Sequence, residues 1–413
     1  MTLSEELVWR GLIKDKTFTD VEWLDTPQKF YLGIDPSADS LTVGNLAIIT
    51  LCLRLARAGW GTFLVIGGGT SLVGDPGGKT EERQLMSRET IVSNTSKIDG
   101  QVSSLFRDEK FILVDNYDWL ADLKYLEFLR DVGKYFSMTE LMQRDFVTER
   151  MGAGGSGISY AEFSYSLVQG YDFWHLFKEN DVVMQIGGSD QWGNLLSGTS
   201  LIRKNEKKEA QAMSMPLIIN KTTGQKFGKS ESGAVWLDPT KTTPTAFYQF
   251  WINSSDDGVE DYLKIYTFLT KEEIDELMSR HNSDPKARLA QKTLASEVTK
   301  LVHGDGLAKL AEAVTNYLTT EKDIAEATNE ELDTIRKEIS SIKFSPNTNL
   351  INILVSTGLA KSNSEAKSLI DGGAIYVKGQ SYKSQDLNED NFVNGRLLIR
   401  RGKAFRDSAL IEL

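Results

Sequence analysis

Apolar residues in the first half of the chain gather in short unbroken runs. Lys29-Phe30-Tyr31-Leu32-Gly33-Ile34, Thr62-Phe63-Leu64-Val65-Ile66, Phe111-Ile112-Leu113-Val114 and Val182-Val183-Met184-Gln185-Ile186 each read as a strand buried on both faces. An apolar helix is predicted over 46–58, stopped by Gly59. Such strands alternating with helices predict an α/β fold with a Rossmann-like parallel sheet. Its strands end in polar or Gly-rich turns, Asp35-Pro36-Ser37, Gly67-Gly68-Gly69 and Gly187-Gly188. Sheets of this kind bind ligands at those C-terminal strand ends.

The texture changes after Pro244. Residues 244–320 read as helices, Lys271-Glu272-Glu273-Ile274-Asp275-Glu276-Leu277-Met278 among them, and 321–345 as a charged connector. A small α+β unit is predicted over 346–413. It has helices near 349–359 and 362–370, a turn at Asp371-Gly372-Gly373, and strands near 374–379 and 397–403. The expected domains are thus 1–243, 244–320 and 346–413, with 321–345 between the last two.

Length agrees, since 413 residues exceed one compact core. Net charge is −11, which at first argues against a nucleic-acid partner. The charge is uneven, however. The last 68 residues hold nine Lys/Arg against seven Asp/Glu, a net of +2, which leaves −13 on the rest of the −11 chain. That contrast suggests a separate binding module. The single cysteine, Cys52, excludes an intrachain disulfide and a multi-cysteine zinc site. His175, His281 and His303 lie far apart, so no protein-bound metal site is expected. The start Met1-Thr2-Leu3-Ser4-Glu5-Glu6 lacks a signal-peptide pattern, and no apolar run approaches bilayer length. No membrane association and a cytoplasmic location are the expectation.

Two nucleotide motifs fail on spacing. Gly74-Asp75-Pro76-Gly77-Gly78-Lys79-Thr80 is close to a P-loop, but Val73 stands where its first glycine belongs. Gly67-Gly68-Gly69-Thr70-Ser71-Leu72 lacks the third glycine of a dinucleotide fingerprint. Either stretch alone reads as a tight turn at a strand end.

Five segments, in order, resemble the class I aminoacyl-tRNA synthetases and, within them, the bacterial-type tyrosyl enzymes. They are Tyr31-Leu32-Gly33-Ile34-Asp35-Pro36-Ser37-Ala38-Asp39-Ser40; Gly74-Asp75-Pro76; Tyr165-Ser166-Leu167-Val168-Gln169-Gly170-Tyr171-Asp172; Gln185-Ile186-Gly187-Gly188-Ser189-Asp190-Gln191-Trp192-Gly193-Asn194; and Lys226-Phe227-Gly228-Lys229-Ser230. The resemblance implies a ligase that activates L-tyrosine with ATP and transfers it to tyrosine tRNA. By the same resemblance Tyr31 and Asp172 contact the phenol, Asp75, Tyr165 and Gln169 hold the α-amino group, and Gln191 lies near the carboxylate. A site built to hydrogen-bond a hydroxyl rejects the analogue lacking it, and these enzymes are the familiar case. Lys226 and Lys229 resemble the two lysines of the KMSKS signature, with Ser230 as a further donor. Asp35, Ser37, Gly44, Gly188 and Asp190 complete the implied ATP site. Mg²⁺ is expected to arrive with ATP. Lys79 and Arg83 are candidates for phosphates or tRNA. Each of these residues also has a plainer reading as core aromatic or surface charge.

One segment departs from the family. Its HIGH signature stands here as Thr42-Val43-Gly44-Asn45, without either histidine. Asn45 keeps a neutral hydrogen bond where the second histidine stands; Thr42 offers only a short hydroxyl. The departure bears on the rate of activation more than on the substrate. The tail resembles the RNA-binding domain shared with small-subunit ribosomal protein S-four, which makes Lys361, Lys367 and Lys378 candidates for RNA phosphates. The resemblance also implies a homodimer, with 128–136 near the interface. Two alternatives stay open on sequence: a catalytically impaired paralogue acting as an RNA-binding or regulatory protein, and a tryptophan enzyme, against which Tyr31 and Asp172 speak.

Overall fold

The computed structural model describes residues 1–75, 86–143, 145–152, 157–221, 223–230, 233–320, 322–345, 349–402 and 407–413. The chain divides into two compact units: Met1–Lys241 with Ser254–Ala290, and Thr242–Asn253 with Gln291–Leu413.

The first unit is built on a six-stranded sheet. Its strands are β1 (Asp15–Lys16), β2 (Lys29–Ile34), β3 (Gly61–Ile66), β4 (Phe111–Asp115), β5 (Met184–Gly188) and β6 (Gln211–Met215), in the order β1-β6-β5-β2-β3-β4. Strands β2 to β6 are parallel and the short β1 is antiparallel to β6. The short β7 (Lys229–Ser230) pairs antiparallel with β8 (Gly233–Ala234). Helices α1 (Leu3–Trp9), α2 (Val43–Arg57), α3 (Arg88–Leu105), α4 (Tyr117–Leu120), α5 (Tyr125–Asp131), α6 (Met138–Met142), α7 (Asp145–Met151), α8 (Tyr160–Asn180) and α9 (Trp192–Glu206) surround it. The central strands are apolar because they are covered: Phe30, Leu32, Phe63, Leu64 and Val65 are all buried. The predicted β2 has the bounds expected from sequence, and the other three predicted strands differ from β3, β4 and β5 by two residues or fewer at each end.

Helices α10 (Pro244–Ile252), α11 (Asp256–Tyr266), α12 (Lys271–Ser283), α13 (Leu289–His303) and α14 (Asp305–Thr319) fill the helical stretch read from sequence. Of these, α11 and α12 belong to the first unit and α10 and α14 to the second. Buried Arg10 and Arg54 explain the hold on α11 and the turn after it. Both donate to the Lys264 and Thr267 carbonyls, and Arg10 also to Leu269.

In the second unit, residues 321–345 carry α15 (Asn329–Glu338) and β9 (Ser340–Lys343). Strand β9 pairs in parallel with the last strand, β13 (Ser408–Glu412). The sheet is completed by β10 (Ile375–Val377), β11 (Gln380–Ser381) and β12 (Arg396–Arg401). One of its faces buries Ile375, Leu397 and Ile399 with Leu350, Ile353 and Leu354 of α16 (Leu350–Ser356) and Ala366 and Ile370 of α17 (Asn363–Asp371). Leu410 buries with Leu332 and Ile335 of α15 and Val314, Tyr317 and Leu318 of α14. No helix among the described residues is long and apolar enough to cross a membrane.

Candidate active site

The strand order reverses between β2 and β5, where β3 and β4 lie to one side and β6 to the other. Open α/β sheets place ligands outside the strand ends at such a switch point. A cavity of about 210 Å³ opens there. It is lined by all of Tyr31, Asp75, Tyr165, Gln169, Asp172 and Gln191, together with Asp35 and Gly188. A larger hollow, about 920 Å³ between Thr17, Trp23, Phe136 and Arg203, contains none of the candidate tyrosine- or ATP-site residues.

Asp172 forms the floor of the cavity. It projects from α8, whose start is set by a full capping box between Ser159 and Glu162. The carboxylate is 4% exposed. Its Oδ1 accepts from Trp119 Nε1 at 2.7 Å and its Oδ2 from Asn116 Nδ2 at 2.9 Å. Burial pushes the Asp172 carboxyl up to about 7; the Trp119 and Asn116 hydrogen bonds pull it down, and Asp35 and Asp115 push it up. Tyr31 reaches the cavity from the middle of β2, its ring tilted against Phe173. Its hydroxyl is buried with no hydrogen-bond partner among the described residues. Burial and the Asp172 charge hold that phenol well above its ordinary range.

Asn116 and Trp119 went unread in the sequence. They stand directly after β4, so their signal was position at the C-terminal end of a parallel strand. Asn116 is also tied to the glycine turn: its Oδ1 accepts from Gly69 N at 2.7 Å and its Nδ2 donates to Thr70 Oγ1 at 3.1 Å. The turn needs glycine at Gly67 and Gly68, because a Cβ would collide with the Asp35 and Asp115 carboxylates respectively.

The opposite wall is anionic and polar. Tyr165 donates to Asp35 Oδ2 at 3.2 Å, and burial followed by Asp35 raises its phenol well above its ordinary range. Gln191 Nε2 donates to Asp75 Oδ2 at 2.6 Å, while Gln191 Oε1 accepts from Asn194 at 2.9 Å. Carboxylates and oriented oxygens converging on one wall suit an ammonium group.

Beyond this cavity lies the edge carrying the altered signature. Thr42 is the N-cap of α2, and both its N–H and its hydroxyl donate to Asn45 Oδ1, at 2.9 and 2.8 Å. Gly44 follows in the first turn. A Cβ there would meet Thr42 and the Phe227 carbonyl at 3.5 and 3.8 Å, ordinary contact, so packing within the described residues does not require glycine. The lysine loop is fastened beside it. Val43 N donates to Val235 O, Val235 N donates to Gly228 O, and Gly228 adopts φ +99°. Phe227 is buried and stacks on Tyr262 with ring centroids 4.1 Å apart. Lys226 Nζ lies 3.4 Å from Asp190 Oδ2 in an exposed pair, and Ser37 is exposed. Lys229 and Ser230 form β7. Lys79 and Arg83 lie outside the described residues.

The tail candidates sit in the second unit and are exposed. Lys367 is on α17, as expected. Lys361 precedes that helix rather than lying in it, because Ser362 caps its start. Lys378 occupies the β10–β11 turn with φ +50° and donates to the Asp390 carbonyl at 3.1 Å.

Comparison with known proteins adds a second line. Residues 25–319 match the family described as tRNA synthetases class I (W and Y), and residues 331–405 match the tyrosine–tRNA ligase SYY-like C-terminal domain. The tyrosine–tRNA ligase of Listeria monocytogenes serotype 4a is 40% identical over 416 residues, 98% of each chain. That of Streptococcus pyogenes serotype M3 is 42% identical over 418 residues, again 98% of each chain. Among solved structures, a C-terminally truncated mitochondrial tyrosyl-tRNA synthetase of Aspergillus nidulans superposes with a TM-score of 0.69 at 32% identity, covering 77% of this chain and 94% of its own.

Proposed function

The chain belongs to the tyrosine–tRNA ligases of class I, and from that premise we propose how its residues divide the work. It activates L-tyrosine with ATP, releases pyrophosphate, and transfers the tyrosyl group to the 3′-terminal adenosine of tyrosine tRNA.

The observation that carries the site assignment is the Asp172 carboxylate, held by two donors at the floor of the switch-point cavity, with the Tyr31 hydroxyl, unpartnered among the described residues, lining the same space. A substrate phenol donating to Asp172 and accepting from Tyr31 would satisfy both groups. Phenylalanine would leave the Tyr31 hydroxyl without that partner and the Asp172 carboxylate facing an apolar ring with only its Trp119 and Asn116 donors, and that difference is the source of selectivity. Asp75, Tyr165 and Gln169 then receive the α-ammonium, and Gln191 stands by the carboxylate.

The tyrosine carboxylate attacks the α-phosphorus as pyrophosphate leaves, a step that needs positioning and charge stabilisation more than a protein nucleophile. Lys226 and Lys229 supply positive charge to the leaving group, with Ser230 as donor. Asp35, Ser37, Gly188 and Asp190 hold the nucleotide. Gly44, which packing does not require, leaves the α2 backbone open to the adenine. Thr42 and Asn45 present an N-cap in place of two imidazoles. The donor set at this edge, lysine and hydroxyl, suits phosphate oxygens; Mg²⁺ would be held by the ATP phosphate oxygens themselves and would spread the charge of the leaving pyrophosphate.

In the second unit, Lys361, Lys367 and Lys378 are the RNA-phosphate candidates, with Lys79 and Arg83 for the phosphates or tRNA in the first. The helices of 244–320 serve the anticodon side. A homodimer accounts for the exposed apolar side chains Tyr125, Leu126, Leu129 and Met138 around residues 128–136. The protein works in the cytoplasm, without membrane attachment. ATP–pyrophosphate exchange with each of the twenty amino acids tests the reading. Exchange with tyrosine alone is expected; a tryptophan signal of equal size would overturn the pocket assignment.

A further inference from the structure

Trp119 stands on a single helical turn, α4, which has no side-chain cap of its own. A four-residue helix gives little purchase for aiming an indole N–H at a buried acceptor. The purchase comes from α8. His175 lies three residues after Asp172, on the same side of that helix. Its imidazole stacks on the Trp119 indole with centroids 4.6 Å apart and planes 17° from parallel. Tyr171 flanks the imidazole at 6.3 Å. One helix thus presents both the acceptor of the indole N–H and the plate that sets the indole plane.

We propose that His175 is a positioning residue for tyrosine recognition: stacked flat on Trp119, it holds the indole N–H on Asp172 and so keeps that carboxylate aimed at the substrate phenol. The proposal rests on the reading that Asp172 receives the phenol. The imidazole is half-buried, and desolvation lowers its pKa, assisted by Lys178 and opposed by Glu179, which favours a neutral ring at neutral pH. Asp172 is faced by Asp35 at the end of β2, Asp115 of β4, Tyr31 of β2 and Tyr165 of α8. None of these carries a positive charge, so the Trp119 and Asn116 donors are what favour its anion. A loosened indole would therefore raise the Asp172 carboxyl further.

The test is tyrosine-dependent pyrophosphate exchange with full-length His175→Ala and His175→Phe across pH 6 to 9. At pH 7, His175→Ala should raise KM for tyrosine roughly three- to ten-fold, the range of one weakened hydrogen bond, with kcat and KM for ATP near wild type. The acid limb of kcat/KM for tyrosine should move to higher pH. His175→Phe, which keeps a flat ring, should restore both values. If His175→Ala does not fold, His175→Gln, polar and similar in size but without a ring, gives the same reading. A wild-type KM and acid limb in the ring-less variant, or no rescue by phenylalanine, would overturn the proposal. Asp172→Asn separates the levels. If it raises KM while His175→Ala does not, only the role of His175 falls; if it leaves tyrosine binding intact, the pocket reading itself falls.

Discussion

Asn116 and Asp172 are 56 residues apart, yet Asn116 Nδ2 lies 2.9 Å from Asp172 Oδ2 in the buried floor of the cavity. The same amide donates to Thr70, and its carbonyl accepts from Gly69 N, so one side chain joins the glycine turn after β3 to the acid on α8. The floor of the pocket is a network, and its members respond together.

That network sets a pH dependence. The Asp172 carboxyl stands near 7, raised from its ordinary 3.8 mainly by burial. Below pH 7 the acid is largely protonated and must lose its proton to accept a phenol. Tyrosine binding should therefore release about one proton at pH 6 and almost none at pH 8.5. Calorimetry in buffers of differing ionisation enthalpy measures this directly. In the ligand-free protein the sign is opposite: a raised acid contributes stability that is lost as pH rises through 7.

Tyr31→Phe removes a buried hydroxyl that has no hydrogen-bond partner among the described residues. The ligand-free variant should match wild type in stability or gain up to about 1 kcal/mol. Its preference for tyrosine over phenylalanine should fall. Exchange kinetics with both amino acids, beside a urea denaturation curve, give the two numbers; an unchanged preference would remove Tyr31 from the pocket.

Lys229→Ala should slow adenylate formation by orders of magnitude while tyrosine affinity stays nearly constant, the pattern of a contact made in the transition state. Single-turnover kinetics with equilibrium tyrosine binding test it. Weak binding at a normal rate would contradict the role.

Asn45→Ala should have two effects, because Asn45 Oδ1 takes both donors of the Thr42 cap. Stability should drop by about 1 kcal/mol, as for a lost helix cap. Exchange should also slow by roughly the worth of one neutral hydrogen bond, 0.5–1.5 kcal/mol in the barrier. Normal exchange in both Asn45→Ala and Thr42→Ala would mean that this segment only caps the helix.

A chain ending at Ser345 would keep α15 and β9 but strip away Leu410 and strand β13, on which they pack. A chain ending near Thr320 removes the C-terminal sheet whole. It should still form tyrosyl adenylate and lose most tRNA charging, because RNA phosphate contacts supply affinity and register. Raising salt should weaken charging by the intact protein far more than exchange. Equal charging by the two chains would refute the RNA-binding role of the tail.

The sequence by itself determined the local elements and the chemical vocabulary. The run 29–34 is apolar enough to be a strand in any context that buries it, and β2 has those bounds. The motifs around Asp75, Asp172 and Gln191 pointed to the substrate only through their resemblance to the tyrosyl enzymes, since Asp172 lies in the middle of α8, where an acid has no local signature of a ligand. Tertiary structure alone decided the partners. That Asn116 and Trp119 would donate to Asp172, or that Ser340 would sit beside Ala409 in a parallel pair, has no local signature. Periodicity reports whether a residue is buried; it does not report which distant residue shares its space, since that follows from the order in which strands pair and from close packing of the whole interior. The stretch 321–345 shows the same limit. Its charged residues are mostly exposed, and its buried apolar ones, Ile324, Ala327, Leu332, Ile335 and Ile339, suffice to seat it once a sheet is there to receive them.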